Sequence, residues 1–380
     1  MPINDDIFDK IMAHAVDLDR FASGTSRRVA DYLDALSQEL EDKIRAAGLD
    51  GKETVKRARQ EALIAQARKS ISKVYKTTVD YVNGHITELV DIEAKWLGKL
   101  IPTVFEVLVE SVVLTPAQLK RLTDTTMLRG MPQKEWWDQQ TTKLRNSFAQ
   151  QVRLGVGAGE TTDQIVSRIR GAATGKVRVV DIDGEKVIVQ QRIGGIMSVS
   201  KRDAEALVRT SIQTVSNAVR DETIDANQDI VRARMAVATL DLRTTDLCKS
   251  RDGALWGLDG KPLSESPVKI DYPGPPPWHF NCRTTIVPIT KSWKELGGKL
   301  KDGAEEKISD RERASMDGQV PAKLTYEQWL KTKPKSVQVE VLGPGRWQLW
   351  NDGKITFADL VDTSGRPLTL EQLRRRSGSV

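Results

Sequence analysis

Thr239-Leu240-Asp241-Leu242-Arg243-Thr244 opens the stretch whose reading decides the fold, and Pro275-Pro276-Pro277-Trp278-His279-Phe280-Asn281-Cys282-Arg283 closes it. Between them stand Cys248 and Asp252-Gly253, so residues 238–288 hold both cysteines of the chain and one of its three histidines. Prolines and glycines punctuate the interval, which predicts a loop-rich region. A loop of this length within a compact domain needs something to hold it, and the Cys/His cluster is the candidate.

Three readings of Cys248, His279 and Cys282 follow from their chemistry. As a metal site, a thiolate and a His-x2-Cys pair suit zinc, yet a closed structural site takes four ligands, and Asp241, Asp246 or Asp252 would have to complete it. As a pair of reduced thiols or a disulfide, the cysteines pin two loops together, with Trp256, Trp278 and the prolines packed around them; this reading is favoured. As a Cys–His dyad, the pair would need an orienting third group and a pocket, and no local catalytic signature accompanies it. No cofactor beyond this zinc candidate is expected.

Outward from this stretch the chain reads mostly as helix. Upstream, Ala206, Leu207, Thr210, Val215, Ala218 and Val219 mark a helix opened by Ser200, and residues 231–240 alternate like a half-buried strand. Val177 to Ile182, Asp183-Gly184 and Val187 to Val189 predict a β-hairpin over 176–190, standing out as an arm. Trp136, Trp137, Leu144, Phe148, Val152 and Leu154 mark a further helix, and Thr161-Thr162-Asp163 caps the next. Gly155, Gly157 and Gly159 read as a helix–helix turn, since neither a preceding strand nor a Gly-Lys-Ser/Thr makes them a phosphate loop.

Before residue 130 two long periodic runs, broken at Gly48 and Gly51, predict a helical hairpin or bundle. His14 and His85 lie in these runs and read as helix-face or core residues. Thr115-Pro116 starts a short helix. Downstream, Ser292-x-x-Glu295 reads as a capping box and residues 299–322 as a polar linker. Thr325-x-x-Gln328 and Thr369-x-x-Gln372 cap helices of a small module with three tryptophans, ending in Arg374-Arg375-Arg376. The fold class is therefore α+β, predominantly helical. The expected divisions are a helical region at 1–130, a central mixed domain at 131–290, a linker or extended crossover at 291–323 and a helical module at 324–380.

Composition narrows the class. Of 380 residues, 39% are apolar and 29% charged, the balance of long solvated helices around modest cores, and the net charge of +6 is a mild basic bias. Two cysteines make no disulfide framework, the acidic start lacks the apolar run of a signal peptide, and no run of roughly 18 apolar residues suggests a membrane span. A cytoplasmic site of synthesis is expected, with no membrane partner.

The stretch resembles the phage Mu F-like minor head protein family, also called the phage head morphogenesis domain. Arg209-Thr210 and Asn217 carry the resemblance first. Leu240-Asp241-x-Arg243-Thr244, Cys248, Asp252-Gly253 and Pro-Pro-x-His279-x-Asn281-Cys282-Arg283 with Pro288 complete it. Tyr326-Glu327-x-Trp329-Leu330 and Val341-Leu342-Gly343-x-x-Arg346 resemble sequence that follows the domain in some members. Thr245 and Thr284 stand where many members carry further cysteines, which weakens a metal site and leaves loop pinning intact. The resemblance implies a non-enzymatic minor protein of a tailed-phage head, resident in the virion. Its implied partners are the portal protein, the major capsid or scaffold protein, and packaged DNA. Two alternatives stay open: an enzyme of toxin or transferase type joined to such a domain, and a general DNA-binding protein.

Overall fold

The structure, a computed structural model, describes residues 3–49, 53–105, 112–291, 295, 312–315, 318–321 and 324–378. It is 61% helical with a few small antiparallel sheets, the predominantly helical α+β class expected. The chain forms two compact units. The first comprises Met1–Asp19, Leu89–Asp124 and Gln213–Val380, the second Arg20–Glu88 and Thr125–Ile212. Each unit therefore draws on sequence from both sides of residue 130.

Helices α1 (Ile3–Ala46) and α2 (Glu53–Phe105) follow from their apolar stripes. Within the second unit, Val29, Leu33, Leu36 and Leu40 of α1 and Ile64, Ile71, Val82 and Ile86 of α2 are buried. There the two helices pair as a hairpin: Ser70 donates to Glu39 at 2.7 Å, and Tyr32 meets Tyr81 edge-on. Helix α3 (Pro116–Thr125) starts at the predicted Thr115-Pro116. Strands β1 (Met127–Leu128) and β2 (Met131–Pro132) form a short antiparallel pair.

Helix α4 (Gln133–Gly157) packs Trp137 edge-on to Tyr75. It continues through two of the three glycines read as a turn, because Gly155 lies against α5 (Thr162–Arg170), where a Cβ would come within 2.6 Å of Ile165 Cγ1. Leu154, read as apolar packing, is exposed.

Strands β3 (Ala172–Ile182) and β4 (Glu185–Ile193) make the predicted hairpin, longer at both ends. Asp183 and Gly184 both have positive φ, the tight turn such a pair favours. The hairpin is not a free arm. One face buries Val180 and Val189, and Arg28 of α1 donates to Asp183 at 3.0 Å while Arg178 pairs with Asp34. The inward cation and the α1 carboxylates hold it down. The other face leaves Val177, Val179 and Ile188 exposed.

Helix α6 (Gly195–Ala226) begins five residues before the predicted Ser200. Gly195 serves a close crossing: a Cβ on it would sit 2.5 Å from Gly171 N.

In the first unit, β5 (Val231–Val237) is the central strand of a three-stranded antiparallel sheet. Helix α7 (Asp246–Arg251) and strand β6 (Leu255–Gly257) follow, and β7 (Thr285–Thr290) is an edge strand, where Pro288 costs no ladder bond. Strands β8 (Glu312–Ser315) and β9 (Gly318–Pro321) pair within the stretch read as linker. Residues 299–311 of that stretch, and Ser292 of the expected capping box, lie outside the described residues.

Helices α8 (Tyr326–Lys331), α9 (Lys335–Leu342), α10 (Pro344–Asn351) and α11 (Leu370–Arg376), with a 3-10 turn at Phe357–Leu360, form the C-terminal module. Thr325 and Thr369 make the expected capping boxes. Tyr326, Trp329, Leu330, Phe357 and Leu360 share one core with Leu240, so the module docks on the central stretch.

Candidate functional site

Asp252 is the node of the site. The residue is 4% exposed, and its carboxylate accepts from the backbone N–H of Ala238, just past β5, and of Tyr326, the first residue of α8, both at 2.7 Å. Two buried N–H groups are thereby satisfied by one side chain. Gly253 follows at φ +76°, and its N–H donates to Ala236 at 2.9 Å, so the chain turns directly back onto β5.

Asp241 makes the second tie. Both its oxygens accept from Arg283, at 2.6 and 2.8 Å, in a bidentate pair that joins the start of the stretch to its end. Thr244 Oγ1 and the Arg243 N–H donate to the same carboxylate. Burial pushes the Asp241 carboxyl up, but Arg283, Thr244 and the Arg243 amide outweigh it and hold the group below its ordinary range. The Arg243 side chain is 87% exposed and its Nε only approaches the same carboxylate, at 3.9 Å, so the backbone N–H is the residue's closer contact. Tyr326 donates its hydroxyl to the Asp241 carbonyl at 2.8 Å.

Cys248, His279 and Cys282 come together as their spacing requires. Cys248 Sγ lies 3.5 Å from Cys282 Sγ and 3.1 Å from His279 Nε2. Asn281 adopts φ +58°, a conformation Asn tolerates, and this lets the Cys282 N–H reach the His279 carbonyl at 3.2 Å. His279 Nδ1 faces the Phe280 carbonyl at 2.8 Å; a carbonyl only accepts, so Nδ1 carries a proton, and Nε2 is the ring atom turned toward the Cys248 thiol. Thr245 caps α7 and places Oγ1 2.9 Å from the same Nε2. The bond to Cys282 and burial push the Cys248 thiol up, and the bond from Cys248, with His279 nearby, pulls Cys282 down: the pair releases one proton readily and keeps the other.

The three ligand atoms lie within 4.8 Å of one another, close enough to share an ion. The fourth ligand fails the test. Asp241 is held by Arg283, Asp246 by Arg346 at 2.7 Å, and Asp252 by two amides. The donor set does not fit a closed four-ligand zinc site. The cavity beside Cys248 and His279 measures about 10 Å³, the room of one water molecule. Trp278 packs on the two sulfurs, whereas Trp256 lies in the adjoining cluster with Ala236 and Val268.

A buried polar cluster beneath β7 is not evident from the motif. Glu93 is fully buried and accepts from Ser216 at 2.8 Å, with Arg220 Nη2 3.5 Å away and His14 against its other oxygen. Arg220 donates to Thr285, while Asn217 accepts from the Ile286 N–H at 3.3 Å and donates to the Thr284 carbonyl. Burial lowers the Arg220 pKa, against the pull of Glu93. The signal was a charged residue on an apolar stripe: Glu93 stands four residues from both Leu89 and Leu97, which are buried. His14 also stacks on Trp96 at 3.9 Å, a helix-face role.

Residues 146–287 match the family model described as phage Mu protein F like protein. The match bears out the resemblance and includes Asp241, Asp252, Arg283 and the Cys/His cluster; Tyr326, which completes both ties, and the tail after it lie beyond the match. No curated protein and no solved structure matched the chain. Among the described residues no helix is long and apolar enough to cross a membrane. The central part of the chain is thus similar to phage Mu protein F like proteins.

Proposed function

We propose that the chain is a minor structural protein of a tailed-phage head, which binds the portal protein and the major capsid or scaffold protein during assembly and resides in the virion near packaged DNA. The observation that carries this reading is the family match over residues 146–287. The site's chemistry supports a structural role. Its acids are consumed by backbone amides and two arginines, and its thiols stand behind a cavity too small for a substrate. Cys248 and Cys282 act as a reduced pair that pins two loops, without a metal ion.

The test is capture of the full chain by the portal protein encoded with it, at low salt and at roughly 1 M salt, where charge attraction is screened beyond about 3 Å. Retention at both salts is the expected result, and loss at both would overturn the portal contact. Metal analysis of the same preparation is expected to find zinc well below one equivalent per chain, since a closed structural site takes four ligands.

A further inference from the structure

In the second unit, α1, the base of the β3–β4 hairpin and the start of α6 enclose a cavity of about 510 Å³. Six cations line it: Arg27, Arg170, Lys176, Arg178, Arg192 and Lys201. Four carboxylates answer them. Glu41 pairs with Arg170 and Arg192, Asp31 and Asp34 with Arg178, Asp34 also with Lys201, and Glu205 lines the wall. Arg27 and Lys176 stand at the exposed rim, with no carboxylate partner among the described residues.

The floor is built rather than solvated. Arg170 is 2% exposed and fixed by Ser37, Gln38 and the Gln190 carbonyl at 2.8–2.9 Å. The Arg192 side chain is 11% exposed, and its buried Nε–H meets no acceptor among the described residues. Met197 and Ser198, in the first turn of the 32-residue α6, complete the wall, so the positive end of that helix adds to the same field.

We propose that this cavity binds a phosphoryl group, supplied by a free polyphosphate or by a nucleic-acid backbone. Two unanswered cations, an orphaned guanidinium N–H and a helix start suit a group with two charges and several acceptor oxygens, and a concave wall in which cations outnumber carboxylates concentrates the field. A carboxylate brings one charge and fits less well.

The test uses the full chain and inorganic pyrophosphate in low-salt calorimetry, with a labelled short DNA duplex in a parallel anisotropy titration. Arg27→Ala/Lys176→Ala removes rim groups without touching the buried pairs, and Arg374→Ala/Arg375→Ala in α11 is the control. Pyrophosphate is expected to bind, and the rim variant to weaken it about tenfold or more, the loss of charge-assisted bonds; the control should bind as the parent does. A duplex that pyrophosphate displaces, and that the rim variant also weakens, identifies the nucleic-acid source; pyrophosphate binding without duplex binding identifies the free one. No pyrophosphate binding, equal binding by the rim variant, or equal displacement by poly-glutamate would each overturn the proposal. The portal capture reads a different contact, so the two readings can fail separately.

Discussion

Around Asp241 and Asp252, each carboxylate is met in full by donors of the same stretch or of the module docked on it. Around the hairpin base, cations outnumber carboxylates, and the excess faces a cavity. Both regions use charge to tie segments distant in sequence. The difference lies in closure: a closed arrangement spends its charge on shape, while an open one keeps some for a ligand. The first belongs to a scaffold, and the second has a reason to be occupied.

The largest expected break falls on the closed region. Asp252→Ala strands two buried amides at once, and a loss of about 3–5 kcal/mol is expected from the urea midpoint. A shift below about 1 kcal/mol would mean that those amides find other acceptors. Asp221 sharpens the comparison from inside the same unit. Burial pushes its carboxyl up to about 6, against the pull of Arg234 and with Asp225 adding to the rise. Between its ordinary value near 4 and about 6 the folded state holds a proton the unfolded state has released, so its contribution to stability falls as pH rises through that window. Asp221→Asn should remove the fall, gaining on the parent by about 2–3 kcal/mol between pH 4 and pH 7. Parallel stability curves would refute it.

Asp241 has the opposite sign. Its folded pKa is depressed, so its contribution is present above the ordinary carboxylate value and is lost as pH falls through the folded one. Asp241→Asn should cost about 1–3 kcal/mol at pH 7 and nothing in strong acid. Cys282→Ser, which puts a smaller, more polar group beside Trp278, is expected to cost about 1–2 kcal/mol by thermal unfolding. The smallest effect belongs to the open region: Arg27→Ala/Lys176→Ala should change stability by less than about 0.5 kcal/mol. A larger loss would make the rim part of the scaffold and erase the contrast.

What was legible in the sequence was local. Thr161, Thr325 and Thr369 announce their capping boxes, Asp183-Gly184 its hairpin, and His279-x-Asn281-Cys282 a turn that returns a thiol to an imidazole. Partners far along the chain were not legible. Nothing near Asp252 points to Tyr326, 74 positions away, and nothing in the hairpin points to the α1 acids that hold Arg178. The two units follow the same logic. Residues 89–124 join the first and residues 125–212 the second, a grouping set by packing that composition does not display.

The bond from Tyr326 to Asp252, with Leu240 inside the C-terminal core, has a consequence for how the polypeptide can be divided. Covalent continuity between the central domain and its C-terminal module should therefore be dispensable for their association. Chains 1–300 and 301–380, produced together, should co-elute as a complemented pair, and Asp252→Ala in the longer one should release the shorter.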